Sequence, residues 1–91
     1  MQNESNMTKN DKLIERFKKL PTDFTFDEVV KLFAIFGYSI HNKGNTSGSR
    51  VRFKKDGSCD FIDLHKPHPE NIMKEWMMKT IYQHFKNKGL I

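Results

Sequence analysis

The stretch from Thr25 to Tyr38, TFDEVVKLFAIFGY, constrains this chain more than any other. Thr25 with Glu28 three residues later makes a capping box, Asp27 adds negative charge to the first turn, and Gly37 suits a left-handed C-terminal residue. Phe24 stands where it can staple onto Val29 across the start. Between these ends Val29, Val30, Leu32, Phe33, Ile35 and Phe36 spread over more than one face. Such a helix needs cover on several sides, and a chain of 91 residues has room for only one core. The other elements must pack around it.

Those elements can be read in turn. Met1 to Asn10 has almost nothing to bury and reads as a flexible N-terminal segment, residues 1–10, ahead of a single domain over 11–91. From Asp11, Leu13, Ile14, Phe17 and Leu20 recur at helical spacing as far as Pro21. Beyond the central helix, Tyr38 to Asn42 reads as a strand and Ser49 to Lys54 as a second. After the Asp56–Gly57 hairpin signal, the segment from Cys59 to Leu64 reads as a third. HKPHPEN breaks the pattern, and Ile72, Met73, Trp76, Met77, Thr80, Ile81, His84 and Phe85 mark a last amphipathic helix ending near Lys88 and Gly89. The expected fold class is α+β, in the order α-α-β-β-β-α: two layers, with the helices on one face of a three-stranded antiparallel sheet. Trp76 is expected in the core, with Met78 the exposed member of the Met stretch.

Sixteen Lys or Arg against eleven Asp or Glu leave a net charge of +5, which favours a polyanion as partner: RNA, DNA, an acidic protein or an anionic lipid surface. The second strand concentrates that charge. Ser49, Val51 and Phe53 point to one face while Arg50, Arg52 and Lys54 point to the other. The loop from Lys43 to Arg50 has two readings. In one, backbone N–H groups freed by Gly44 and Gly48 bind phosphate, helped by Lys43, Ser47, Ser49 and Arg50; in the other it is a polar hairpin connection. It lacks the arrangement of a nucleotide-binding P-loop, so no ATP or GTP site is expected.

The single Cys59 has no partner for an internal disulfide, and Cys59, His65 and His68 fit no zinc-ligand spacing, so no metal is expected. No stretch approaches the ~20 apolar residues of a membrane span. A cytoplasmic protein with no membrane role is the expectation. Among the histidines, His65 and His68 sit beside Pro67 at the end of the third strand, where near-neutral side chains suit general acid-base work. The other reading is that Pro67 and Pro69 end the strand and both imidazoles are surface or capping groups. His41 precedes the glycine loop and can approach Arg50 if the first two strands pair around it, while His84 lies at the edge of the core.

FTFDEVVKLFAIFGY, GSRVRF, LHKPHP and the closing KNKGLI, in this order and spacing, resemble the HicA family of toxins from bacterial toxin-antitoxin modules. The resemblance runs from about Lys12 to Ile91. It implies a double-stranded-RNA-binding-like fold and a metal-independent ribonuclease, without a small-molecule cofactor, that cleaves mRNA and is neutralised by a HicB-type antitoxin. In many members a glycine turn leads into a catalytic histidine. Gly48 and Ser49 match that turn, but Arg50 and Val51 stand where the histidine is expected. Arginine can stabilise a phosphorane but cannot move protons. Candidate catalytic residues are therefore His65, Arg50 and His68, with Lys43, Gly44, Gly48, Ser49, Arg50, Arg52, Lys54 and Lys66 as candidate RNA contacts. A non-catalytic RNA-binding domain and a protein-interaction module are the alternatives.

Overall fold

The structure is a computed structural model and describes residues 8–41, 50–67 and 70–91. Its elements run α1 (Lys9–Lys18), α2 (Phe26–Ile35), β1 (Tyr38–Ile40), β2 (Arg50–Lys55), β3 (Phe61–His65) and α3 (Glu75–Asn87). The strands form an open antiparallel sheet in the order β1-β2-β3. This is the expected α+β fold and element order. No helix among the described residues is long and apolar enough to cross a membrane.

Local chemistry sets the helix ends. Thr25 accepts from the Glu28 N–H while the Glu28 carboxylate accepts from the Thr25 N–H, closing the capping box on α2. Gly37 follows at φ +87°, the left-handed conformation that ends a helix with little cost for glycine. The same device begins α1 earlier than expected: Thr8 is the N-cap and Asp11 its reciprocal partner, so Lys9 and Asn10 are already helical. Arg16 of α1 reaches both Asp23, at 3.1 Å, and Glu28, at 3.2 Å, tying α1 to the start of α2.

The core is aromatic. Phe33 of α2 stacks on Phe53 of β2 with centroids 4.3 Å apart and 17° between planes, and meets Phe85 of α3 edge-on at 4.9 Å. Phe85 in turn contacts Phe17 of α1 at 5.9 Å. Phe24 and Val29, the expected staple pair, are both fully buried. Val51, Phe53 and Leu64 complete the floor from the sheet. One sheet face therefore carries all three helices, and among the described residues no element covers the other.

Three expectations need correction. Ile72 and Met73 precede α3: Ile72 forms an isolated bridge with Thr25, and the Met73 N–H donates to the Phe24 carbonyl at 2.8 Å, so this backbone is committed to an extended pairing. Trp76 is 57% exposed and Met78 only 1%, the reverse of the expected assignment, because the face of α3 that meets the core carries Met77, Met78, Ile81 and Phe85. Cys59 is an exposed residue of the β2–β3 connection and not of a strand. Its neighbour Asp60 is drawn instead toward Tyr38 and Lys88.

Loss of core contacts should dominate stability. Phe33→Ala should cost about 3–5 kcal/mol and Met78→Ala about 2–5 kcal/mol, whereas Trp76→Ser should change stability by no more than ~0.5 kcal/mol in urea denaturation.

Candidate nucleic-acid interface

Packing Val51 and Phe53 against the helices forces Arg50, Arg52 and Lys54 onto the open face, since successive side chains of a strand alternate. Register then decides their neighbours. Arg50 lies opposite His65, Arg52 opposite Asp63, and Lys54 opposite Phe61 on β3. On β1, Ser39 lies opposite Lys54, and the His41 N–H donates to the Arg52 carbonyl at 2.8 Å, extending the pairing one residue past the strand. The open face is thus a grid of rows ~6.7 Å apart: Ser39, Lys54 and Phe61; His41, Arg52 and Asp63; Arg50 and His65.

The middle row changes the electrostatics expected of this face. The Asp63 carboxylate grips Arg52 with two hydrogen bonds, from Nε at 2.8 Å and Nη2 at 3.1 Å. The pairing raises the Arg52 pKa still further above its ordinary range and lowers that of Asp63. Three cations in a row become two flanking an ion pair. Arg52 is also placed over the Phe61 ring, its guanidinium carbon 4.0 Å from the centroid.

His41 is held by a chain of hydrogen bonds. The Ser39 hydroxyl donates to Asp56 at 2.9 Å, and its oxygen lies 3.2 Å from His41 Nε2. With its one proton directed to Asp56, the Ser39 oxygen is free to accept from His41 Nε2 when that nitrogen carries a proton. The spacing of Ser39 and His41, two apart on a strand, was visible in the sequence; the role of Asp56 was not.

The remaining candidates are spread out. Lys66 follows His65 by one residue and accordingly turns to the other side, with Nζ 5.8 Å from the Phe26 ring centroid, apart from the Arg50 row. Lys43, Gly44, Gly48, Ser49 and His68 lie outside the described residues, as does the expected phosphate loop that contains the first four. Among the described residues no three His, Cys, Asp or Glu side chains are grouped so as to hold a metal ion.

A second polar cluster anchors the far edge of the sheet to α3. The Tyr38 hydroxyl donates to Asp60 and lies 3.2 Å from His84 Nε2, and Lys88 Nζ is 3.2 Å from the other Asp60 oxygen. Burial, reinforced by Asp60, raises the Tyr38 pKa well above 10.0. Burial alone would raise that of Asp60, but the hydrogen bonds from Tyr38 and Lys88 and the nearby positive charge bring it below 3.8. His84 falls below 6.5 because burial outweighs the attraction of Asp60, with Lys88 adding to the decrease. The cluster is distinct from the cation row and reads as a structural clamp.

No family model, curated protein or solved structure matches this chain.

The clamp should be visible in the pH dependence of stability. Because the folded state disfavours protonated His84, the unfolded chain binds the proton more readily, and stability falls as pH drops through 6.5 toward the lower folded value. The stabilisation from Asp60 is kept over that interval and is lost only as pH falls below 3.8. Urea denaturation at about pH 8 and about pH 5 should show this loss, and His84→Gln should lessen it while retaining a donor toward Tyr38.

Proposed function

We propose that this chain is a metal-independent ribonuclease acting on mRNA from the open face of its sheet, the toxin component of a HicA-type module that a HicB-type antitoxin neutralises. The observation that carries the reading is the register itself. Two imidazoles flank β2, His41 one residue past β1 and His65 at the end of β3, and Arg50 lies directly opposite His65. Cations, histidines and an open surface are the requirements for RNA cleavage without a cofactor. The resemblance of FTFDEVVKLFAIFGY, GSRVRF, LHKPHP and KNKGLI, in this order, to the HicA family supports the same reading.

The chemistry follows. One imidazole removes the proton from a ribose 2'-hydroxyl, whose oxygen attacks the adjacent phosphorus. The other protonates the departing 5'-oxygen. The P–O2' bond forms as the P–O5' bond breaks, giving a 2',3'-cyclic phosphate and a free 5'-hydroxyl. Arg50 contributes charge to the phosphorane and no proton transfer, because a guanidinium stays protonated. The contact of His41 Nε2 with Ser39, itself bonded to Asp56, orients the ring. Lys54 and Arg50 hold the phosphate backbone on either side of the Arg52–Asp63 pair, so binding should weaken steeply as salt rises.

Incubation of the purified chain with end-labelled single-stranded mRNA in EDTA tests this. The parent should produce fragments ending in a cyclic phosphate, and His65→Ala or His41→Ala should each slow the reaction by about 100-fold or more. Equal cleavage by parent and both variants would remove the histidines from the mechanism. Salt-dependent binding without any cleavage would favour an RNA-binding module in which Arg50 marks a lost active site.

A further inference from the structure

Among the described residues the outward positions of the sheet are polar with one exception. Ser39, His41, Arg50, Arg52, Lys54, Asp63 and His65 share this face with Phe61, which is 45% exposed. The core makes no demand for an aromatic there, because Ile62 and Leu64 supply the inward side of β3. What Phe61 does contact is Arg52, at 4.0 Å from guanidinium carbon to ring centroid. Asp63 grips the edge of that guanidinium through Nε and Nη2, so its position over the ring is held from two directions. An isolated exposed cation–π pair contributes little, a small return for leaving a phenyl ring half in water. A flat, pre-ordered aromatic and guanidinium surface flanked by Lys54 and Arg50 matches the two requirements of single-strand recognition, a stacking platform and backbone cations.

We propose that Phe61 with Arg52 forms a base-stacking subsite that takes one unpaired nucleobase of single-stranded RNA, with Lys54 on the neighbouring phosphate. This deepens the proposed RNA site and rests on it. Phe61 precedes His65 by four residues along β3, which separates the subsite from the Arg50–His65 row by ~13 Å. The stacked base therefore belongs to a nucleotide away from the scissile bond. A base locked inside a duplex cannot reach the ring, so the subsite selects single strands, and any aromatic at this position should serve.

The test uses a short single-stranded 2'-O-methyl RNA, which cannot be cleaved, together with a set of the same oligomers carrying an abasic residue at each position in turn, and binding is followed by fluorescence anisotropy. The parent should bind the single strand more tightly than the corresponding duplex. Phe61→Leu should weaken single-strand binding about 5- to 100-fold and leave duplex binding unchanged, while Phe61→Tyr should bind like the parent. One abasic position should weaken binding to the parent by a similar factor and add no further loss to Phe61→Leu. That comparison on the parent protein stands even if the Leu variant folds poorly. Salt-sensitive binding that ignores both Phe61→Leu and every abasic position would overturn the subsite while leaving the RNA site intact. Failure of the parent to bind either single strand or duplex would overturn the RNA site, and the subsite with it.

Discussion

The stack of Phe33 on Phe53 is the contact on which the rest of the structure depends. At 4.3 Å and nearly parallel, it joins the central helix to the central strand, and through Phe85 the same ring engages the last helix. A chain this short has no second core to compensate for its loss. The stack also has a consequence outside the core. With Phe53 fixed inward, alternation leaves no choice for Arg52 and Lys54, which must face out, and Val51 does the same for Arg50. The exposed charge pattern is therefore the complement of the core pattern, and a one-residue slip would bury the cations and expose the aromatics.

The open face is a compromise between holding charge together and leaving it usable. Three like charges at every second position of one strand repel, and Asp63 relieves this by pairing with the middle one. The pair is half exposed, so its direct contribution to stability is small. Its larger effect is orientation: the guanidinium is fixed over Phe61, and the unneutralised charge is moved to the two ends of the row. Lys55, facing inward, has a different task, donating to the Phe36 carbonyl at 2.8 Å at the end of α2, where a cation suits the helix terminus. Adjacent lysines of one strand thus serve separate ends, one the surface and one the scaffold.

Features that depend on a few consecutive residues were legible in the sequence: the Thr25–Glu28 box, the turn at Gly37, and the inward and outward sets of β2. The Thr8–Asp11 box is of the same local kind and could have been found, but the polar character of its surroundings concealed it. What escaped the sequence depends on distant partners. Ile72 and Met73 have helical spacing, yet their backbone is bridged to Phe24 and Thr25. Trp76 and Met78 are both apolar and point to nearly opposite sides of α3, so only the position of the sheet decides which is buried. The facing of Arg50 with His65, and of Arg52 with Asp63, needs the β2–β3 register, and the connection is longer than its Asp-Gly signal because Asp60 is held by Tyr38 and Lys88. For that reason the histidines were recognisable as candidates while the rows that set His65 beside Arg50 and His41 beside Arg52 were not.

The most direct test of the account is to map where RNA touches the protein, by following backbone amide chemical shifts of the labelled chain during titration with an uncleavable single-stranded RNA. The expected result is a contiguous set of shifts over Ser39 to His41, Arg50 to Lys54 and Phe61 to His65, with the exposed faces of α1 and α3 unmoved. Shifts confined to the helices, with the sheet residues unchanged, would contradict the assignment of the open sheet face as the nucleic-acid site.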